Sequence, residues 1–194
     1  ITEAGAERVI RFAFELARKR AGKRKVTLTS KYNMLHQSDG LFREIGRAIA
    51  DDYSDIEFET FIVDDFLCRM ITQPDALDVV VTPNLYGDIL SDGAAGLIGG
   101  LGLAPSGCFG ADYAYFESAH GTAPDIQGMN VINPTATLLS ASMMLEYLGL
   151  EESALALTSA VTATFKEGRT LTPDQGGTST TTDFCDSVRF HLGI

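Results

Sequence analysis

Two aspartates, Asp88 and Asp92, lie four residues apart in the segment NLYGDILSD, residues 84–92. If this segment is helical, both carboxylates lie on one face, where exposed like charges repel by roughly 0.2–0.5 kcal/mol. A divalent cation between them turns the repulsion into attraction, and carboxylate oxygens are ligands that suit Mg²⁺ and Mn²⁺. The alternative is an aspartate in the first helical turn, favoured by the helix dipole, beside an exposed second carboxylate. The pair alone leaves both interpretations open.

Two further segments place charged side chains just after predicted strands. The segment VDD, residues 63–65, offers a third carboxylate for a metal, or alternatively the N-cap of a helix. Lys31 lies in a loop between a strand and a helix. A lysine in such a loop is ordinarily a solvated surface charge, and it can carry protons for a reaction only if it faces the carboxylates.

The loop HGTAPDIQGMNVINP spans residues 120–134 and ends at the start of a predicted helix. Backbone N–H groups at a helix N-terminus can bind phosphate oxygens, and an acidic side chain can accept hydrogen bonds from ribose hydroxyls. The loop lacks the GxGxxG pattern of a Rossmann dinucleotide site. Nucleotide binding and an ordinary structural loop are both compatible with its sequence.

The elements that must position these residues alternate between helix and strand. Apolar spacing predicts three helices, over residues 3–19, 38–53 and 64–73, and three strands, over residues 25–29, 56–63 and 78–82. Ser38 is expected to cap the second helix, and Pro74 to end the third. The alternation predicts an α/β fold, a layered sheet with helices on both faces. Asp88 is expected in the first turn of a helix that follows the third strand, at the sheet edge where α/β proteins bind ligands.

From residue 99 onward the sequence predicts a glycine-rich loop, a short strand over residues 113–116 and a loop that runs to residue 132. Three helices then follow: one from the N-cap Asn133 to Gly149, and two over about residues 151–166 and 182–192. Glycines near residues 98–100 suit a crossing between two lobes. We therefore expect two domains, residues 1–98 and 99–194.

Composition argues against several classes of protein. The chain has 194 residues, of which 45% are hydrophobic, so it can form a sizeable core. Its net charge of −11 argues against nucleic acid and anionic membranes as partners, and no apolar run approaches the roughly 18 residues of a membrane span. Three scattered cysteines, Cys68, Cys108 and Cys185, indicate reduced thiols in a reducing compartment. Because the chain begins with Ile1 in helix-like sequence, we expect a fragment or a processed chain.

Taken together, these segments resemble the metal-dependent β-decarboxylating dehydrogenases of isocitrate, isopropylmalate, homoisocitrate and tartrate. Four segments carry the resemblance: SKYNMLHQSDGLF at 30–42, NLYGDILSDGAAGLIGGLGLAPS at 84–106, FESAHGTAPDIQG at 116–128 and PDQGGTSTT at 173–181. The resemblance implies a two-lobed, isopropylmalate-dehydrogenase-like α/β fold. Residues 1–98 correspond to the small, dimer-forming domain with the metal and substrate residues. Residues 99–194 correspond to the C-terminal part of the large, cofactor-binding domain, so the chain resembles roughly the last three-fifths of a family member.

The resemblance also implies roles for individual residues. Asp88 and Asp92 ligate Mg²⁺ or Mn²⁺ together with Asp64 of a neighbouring subunit, so the active sites are shared within a homodimer or a larger oligomer. Lys31 and Asp64 are the catalytic residues, with Lys31 handling protons in the partner's active site, and Asn33 and Lys31 contact the substrate. The implied dinucleotide-binding residues are His120, Gly121, Thr122, Ala123, Asp125, Asn133 and Asp174.

Asp125 determines the expected cofactor. Relatives that use NADP tend to carry a lysine and then a tyrosine after HGTAP, whereas this chain has Asp125-Ile126, and a carboxylate repels a 2′-phosphate. The resemblance therefore implies NAD. The chain departs from the family pattern at Tyr32, which replaces a small residue and is expected to crowd the shared site. It departs again at Met129 and Asn130, which replace a lysine and a glycine of the cofactor loop.

The implied reaction is the metal-dependent, NAD-linked oxidative decarboxylation of a 2-hydroxy acid with a β-carboxylate. Isocitrate, which gives 2-oxoglutarate and CO₂, is the first expectation, and 3-isopropylmalate, homoisocitrate and tartrate are the alternatives. An alternative of another class is a truncated or regulatory, non-catalytic subunit of a hetero-oligomeric dehydrogenase. We expect a cytoplasmic protein, or one of the mitochondrial matrix in a eukaryote, with neither nucleic acid nor membrane as a partner.

Overall fold

The computed structural model describes all of residues 1–194, which form two compact units, Ile1–Ala94 and Ala95–Ile194. The boundary between the units lies inside a helix, a few residues before the expected division after residue 98. The assignment of different roles to residues 1–98 and 99–194 stays a prediction.

The first unit is built on a parallel sheet. Its elements are α1 (Glu3–Arg20), β1 (Lys25–Ser30), α2 (Asp39–Ala50), β2 (Glu57–Ile62), α3 (Val63–Thr72), β3 (Val79–Val81) and most of α4 (Asn84–Leu97). The strands are parallel in the order β2–β1–β3, and the connections between them contain α2 and α3, as parallel pairing requires. Because β1 is the central strand, five of its six residues are buried.

The core of this unit lies between the sheet and helices α1 and α2. Phe14 of α1 is fully buried, and its ring stacks on Tyr53 with 4.7 Å between the ring centroids. Gly46 allows α2 to approach the sheet closely, because a Cβ atom at this position would lie 2.5 Å from Cδ1 of Leu28. This close packing places the first turn of α2 beside the carboxyl end of β1.

Three local predictions for this unit are wrong. Ser38 does not cap α2, since its backbone is already helical and its side chain makes no capping hydrogen bond. Helix α2 ends at Ala50 rather than at residue 53, because Tyr53 turns back into the core. Strand β3 is shorter than the predicted residues 78–82. It lies at an edge of the sheet, where Val80 is exposed.

The second unit combines a hairpin with three helices. Its elements are the end of α4, β4 (Pro105–Phe109), β5 (Ala114–Ser118), α5 (Thr135–Tyr147), α6 (Glu151–Glu167) and α7 (Thr181–Leu192). The two strands are antiparallel. The glycine-rich sequence predicts a loop where β4 forms. Position 107 of this strand favours glycine, because a Cβ atom there would lie 3.0 Å from the ring of Phe116.

The helices of the second unit begin and end within two residues of their predicted positions. Apolar side chains of α6 and α7 form a small core: Ala160, Val161, Phe184 and Val188. A capping box formed by Thr180 and Asp183 starts α7. No helix of the chain has the length and apolarity that a membrane crossing needs. All three cysteines are free thiols.

Candidate active site

The carboxyl ends of β1 and β2 bring Lys31 and Asp64 together. The strands pair in parallel with Ser30 opposite Ile62, so the residues that follow them emerge at the same sheet edge. Lys31 comes directly after β1, and Asp64 is the second residue of α3. The Nζ of Lys31 donates a hydrogen bond to Oδ1 of Asp64. That hydrogen bond lowers the pKa of the Asp64 carboxyl below its ordinary value.

Asp88 and Asp92 lie one turn apart on α4, and both are exposed. The helix begins at Asn84, so Asp88 lies in the second turn and the prediction of a first-turn position is wrong. The helix dipole favours carboxylates in the first turn, so it does not explain why an aspartate occupies position 88. Oδ2 of Asp88 accepts a hydrogen bond of 2.9 Å from the side chain of Asn84. Asp92 makes no hydrogen bond or ion pair within the chain.

The three proposed metal ligands do not meet within one chain. No three side chains of the metal-binding types His, Cys, Asp and Glu form a group that could hold a metal ion. Asp88 and Asp92 supply two exposed carboxylates on one helical face, which is chemistry that suits Mg²⁺ or Mn²⁺. Asp64 lies instead in contact with Lys31. The chemistry of these two carboxylates fits a divalent cation, and the ligation of one metal by all three aspartates stays a prediction.

The turn that carries Lys31 is held by two residues of α2. Oδ2 of Asp39 accepts a hydrogen bond of 2.7 Å from the backbone N–H of Lys31. The guanidinium of Arg43 lies 4.3 Å from the centre of the Tyr32 ring, a favourable cation–π contact. The half-buried ring of Tyr32 thus packs on α2, and the expected crowding of the shared site stays a prediction. Asn33, the predicted substrate ligand, is exposed and has no partner in the chain.

The predicted cofactor loop lies in the second unit and presents polar groups that lack partners. Nδ1 of His120 lies 2.9 Å from the carbonyl oxygen of Gly121, while its Nε2 is enclosed without a hydrogen-bond partner. Buried polar atoms are rarely left unpaired, so the unpaired nitrogen is consistent with a bound ligand at this loop. Thr122, Ala123 and Asp125 are exposed, and Ala123 has a left-handed backbone, with φ 44°.

Asn133 and Asp174 form the centre of a hydrogen-bond network. Nδ2 of Asn133 donates to Oδ2 of Asp174 at 3.0 Å, and Oδ1 of Asn133 accepts from the backbone N–H of Thr135, at the start of α5, at 3.0 Å. Thr172 and Gln175 also donate to Asp174, at 2.6 and 2.9 Å. Partial burial raises the pKa of Asp174, but the three side-chain hydrogen bonds outweigh it and the net pKa is lowered. The carboxylate thus holds two loops together, whether or not it also contacts adenosine.

Asn130 has a structural function that its sequence position did not reveal. Its backbone is left-handed, with φ 57°, a conformation that asparagine tolerates far better than most residues. Its Oδ1 accepts hydrogen bonds from the backbone and the side chain of Thr182, at 3.3 and 3.1 Å. The asparagine therefore replaces the usual glycine without a large conformational cost, and it ties the cofactor loop to the first turn of α7.

Sequence reasoning missed three residues of these sites: Asp39, Thr172 and Gln175. Asp39 follows a serine at the start of a helix, a position typical of an exposed capping residue, so nothing local signals that it is buried. Thr172 and Gln175 flank Asp174 in the turn PDQGG and its approach. A threonine two residues before an aspartate is typical of a side-chain-capped turn, which is the available signal.

Comparison with known proteins shows what the chain is similar to. The family model of isocitrate/isopropylmalate dehydrogenase matches residues 1–188. The alpha subunit of mitochondrial NAD isocitrate dehydrogenase from Macaca fascicularis is 49% identical over 97% of this chain and 54% of its own length. The 3-isopropylmalate/3-methylmalate dehydrogenase of Methanocaldococcus jannaschii is 50% identical over 97% of this chain and 57% of its own length.

A solved structure agrees with these relatives. The crystal structure of isocitrate dehydrogenase from Methylococcus capsulatus superposes with a TM-score of 0.95 at 46% sequence identity, covering 99% of this chain and 57% of that one. The chain thus spans about half the length of the curated relatives it matches. Since the family model covers nearly the whole chain and the fold agrees, the chain belongs to the isocitrate/isopropylmalate dehydrogenase family.

Proposed function

We propose that this protein catalyses the metal-dependent, NAD-linked oxidative decarboxylation of isocitrate to 2-oxoglutarate and CO₂. The observation that carries the proposal is the contact between Lys31 and Asp64 at the carboxyl edge of the sheet, in a family member that also presents Asp88 and Asp92 on α4. In the reaction, a hydride passes from C2 of the substrate to the nicotinamide and the hydroxyl loses its proton. The carboxylate β to the new carbonyl then leaves as CO₂, and the carbon takes up a proton.

Two groups of residues share this chemistry. We name Lys31 and Asp64 the proton half-site, and Asp88 and Asp92 the metal half-site. Asp88 and Asp92, together with Asp64 of a second copy, would hold Mg²⁺ or Mn²⁺, which when bound acts as a Lewis acid on substrate oxygens. Lys31 supplies a cationic group that handles the proton. Asn33 places an exposed amide two residues away, where it can orient the substrate carboxylate or the nicotinamide.

The active site is proposed to form between two copies of the chain. Within one copy the proton half-site and the metal half-site do not assemble a three-carboxylate cluster. Helices α3 and α4, which carry the half-site aspartates, pack together through Phe66, Met70 and Leu90. Apolar side chains of the same helices are 37–66% exposed: Leu67, Ile71, Leu85 and Ile89. Such a surface suits a symmetric homodimer, whose interface would complete both sites at once.

NAD is the proposed cofactor, held by the loop that contains His120 and Asp125. Asp125 is exposed and makes no hydrogen bond or ion pair within the chain, so its carboxylate can accept from the hydroxyls of an adenosine ribose. The same charge repels a 2′-phosphate. Asn133 is 4% exposed and is already bonded to Asp174, so it supports the loop as well as contacting the cofactor.

A second candidate function is the dehydrogenation of 3-isopropylmalate. It is supported by the 50% identity to an archaeal 3-isopropylmalate/3-methylmalate dehydrogenase, as high as the identity to NAD isocitrate dehydrogenase subunits. Homoisocitrate and tartrate are further members of the same substrate class. A purely regulatory role is disfavoured, because a non-catalytic subunit has no physical need to keep Lys31, Asp64, Asp88 and Asp92. We propose a cytoplasmic protein, or one of the mitochondrial matrix in a eukaryote, as for the mitochondrial relatives.

A turnover screen of the full-length protein tests the proposal. NADH formation is measured with isocitrate, 3-isopropylmalate, homoisocitrate and tartrate, in the presence of Mn²⁺ and then after chelation with EDTA. We expect the highest kcat/KM with isocitrate, and no turnover after chelation. A higher kcat/KM with 3-isopropylmalate replaces the first candidate by the second. No NADH from any of the four acids refutes both.

A further inference from the structure

Asp39 is the only carboxylate among the buried residues of the chain, with 3% of its surface exposed. Removing an ionised carboxylate from water costs several kcal/mol unless hydrogen bonds replace its hydration. A buried aspartate in the first turn of a helix is not needed for capping, because an exposed side chain can do the same. Its partners therefore indicate what this residue does.

Three groups surround the Asp39 carboxylate, and each comes from a different part of the first unit. Its Oδ2 accepts from the backbone N–H of Lys31 at 2.7 Å. Its Oδ1 accepts from Oγ of Ser38 at 3.2 Å. The phenol of Tyr86, on α4, also faces it. A phenol hydroxyl is a hydrogen-bond donor, and that of Tyr86 is hydrogen-bonded to the Asp39 carboxylate.

These contacts place one buried carboxylate between Lys31 and the helix that carries the metal half-site. Lys31 belongs to the proton half-site, and Tyr86 lies two residues before Asp88 of the metal half-site. The sheet-facing Gly46 allows α2 to pack tightly against β1, which keeps Asp39 at the end of that strand. The side chain of Lys31 is 31% exposed and contacts Asp64, whereas Asp39 restrains its backbone.

We propose that Asp39 is a positioning residue for the reaction: by holding the backbone of Lys31, it sets the place of the lysine ammonium relative to the substrate. This inference rests on the proposed function, since Lys31 must act on the substrate for its position to affect turnover. Asp39 does not touch the reacting atoms and acts through Lys31. Displacing a catalytic group by about 1 Å can cost roughly 100-fold in rate, so loss of this restraint lowers kcat more than KM.

The contact itself can be tested without any activity measurement. Hydrogen exchange of the Lys31 backbone amide is measured in the intact protein and in Asp39→Leu, which keeps the size of the side chain and removes the acceptor. We expect exchange at Lys31 to accelerate at least about tenfold. The matched control is Asp78→Leu, because Asp78 accepts from the backbone N–H of Lys25 at 3.4 Å, at the opposite end of β1. The control should leave Lys31 exchange unchanged, and equal effects of the two variants would overturn the proposal.

The functional claim is tested by a double-mutant cycle on the full-length protein. We expect Asp39→Leu to lower kcat roughly 10- to 100-fold while the KM for isocitrate changes less than about threefold. In the Lys31→Ala background the same substitution should cause no further loss, because Asp39 acts through Lys31. A residue with a merely structural role lowers turnover by the same factor in both backgrounds, and that result would overturn the inference.

The Lys31→Ala variant separates the two levels of the account. If Lys31→Ala alone keeps full turnover, the proposed function of Lys31 is refuted. If Lys31→Ala is inactive and Asp39→Leu keeps full turnover, the inference on Asp39 fails and the proposed function stands. Should Asp39→Leu not fold, Asp39→Asn replaces it, since an amide keeps the shape but accepts hydrogen bonds more weakly than a carboxylate. Wild-type kcat together with wild-type Lys31 exchange in Asp39→Asn would then overturn the inference.

Discussion

The ammonium of Lys31 contacts the carboxylate of Asp64, 33 residues further along the chain, where two neighbouring parallel strands end. This pairing keeps Asp64 with Lys31, while Asp88 and Asp92 lie on a different helix without a third carboxylate beside them. Under the proposed function, a metal bound by all three aspartates takes Asp64 from a second copy of the chain.

Loss of a carboxylate from α4 should weaken metal binding. We predict that Asp88→Asn raises the Mn²⁺ dissociation constant of the full-length protein at least about tenfold, since a neutral amide is a poorer ligand for a hard cation. Titration calorimetry measures the constant directly. Asp65→Asn is the control, because Asp65 neighbours Asp64 but pairs with Arg69 at 2.7 Å. Equal Mn²⁺ affinity of Asp88→Asn and the wild type would contradict the metal assignment.

A reversal of charge at Asp125 should change the preferred dinucleotide. In Asp125→Lys, a cation replaces the carboxylate that repels a 2′-phosphate, and a charge-assisted contact contributes about 1.5–3 kcal/mol. The ratio of kcat/KM for NAD to that for NADP should therefore fall tenfold or more. Asp112→Lys makes the same charge change at another exposed position of the second unit. An unchanged ratio in Asp125→Lys, or an equal change in both variants, removes Asp125 from the ribose site.

The contact between α2 and β1 leaves no room for a side chain at Gly46. In Gly46→Ala, the added Cβ would lie 2.5 Å from Leu28 and 3.2 Å from Phe58, and such overpacking typically costs about 1–3 kcal/mol. Denaturant unfolding measures the loss. In contrast, Gly96→Ala adds a Cβ that meets nothing within 4 Å, and it should stabilise α4 by about 0.5–1 kcal/mol. If Gly46→Ala is as stable as the wild type, the close approach of α2 to the sheet is refuted.

The Asp174 network should make stability depend on pH. The folded-state pKa of Asp174 is lowered from 3.8, so its carboxylate stabilises the folded chain fully above the unfolded-state pKa. That stabilisation is lost as the pH falls through the folded-state pKa. We predict that the difference in free energy of unfolding between wild type and Asp174→Asn shrinks from about pH 6 to about pH 3. A difference that stays constant over this range, as expected for the exposed control Asp112→Asn, would contradict the network.

Much of the fold follows from local sequence patterns. The helical spacing of Ile10, Phe14 and Ala17 predicts α1, and the apolar run at residues 79–81 predicts β3, because both patterns reflect burial on one element. The exposure of Val80 was not predictable in the same way, since it depends on which strand occupies the edge of the sheet. The sheet order β2–β1–β3 arises from long-range packing that no single segment encodes.

The candidate site, too, could be predicted only where local sequence patterns determine it. Four of its charged residues follow predicted strands, so their position at or after the carboxyl edge of the sheet could be inferred from the sequence: Lys31, Asp64, Asp88 and Asp92. The burial of Asp39 could not, because it results from the contact of α2 with β1 and from Tyr86 on another helix. Likewise, the Asn133–Asp174 hydrogen bond joins residues 41 positions apart, and only the folded chain brings them together.

The most direct test of a shared active site is the turnover of a heterodimer made from two inactive variants. Lys31→Ala and Asp88→Asn chains of the full-length protein are co-expressed with different affinity tags, and the mixed dimer is isolated through both tags. If Lys31 of one chain acts at Asp88 of the other, one of the two sites is intact, and isocitrate turnover with Mn²⁺ and NAD should recover to about half of the wild-type value. If each chain forms its own site, both sites carry one defect. A mixed dimer as inactive as its two parents would contradict the account.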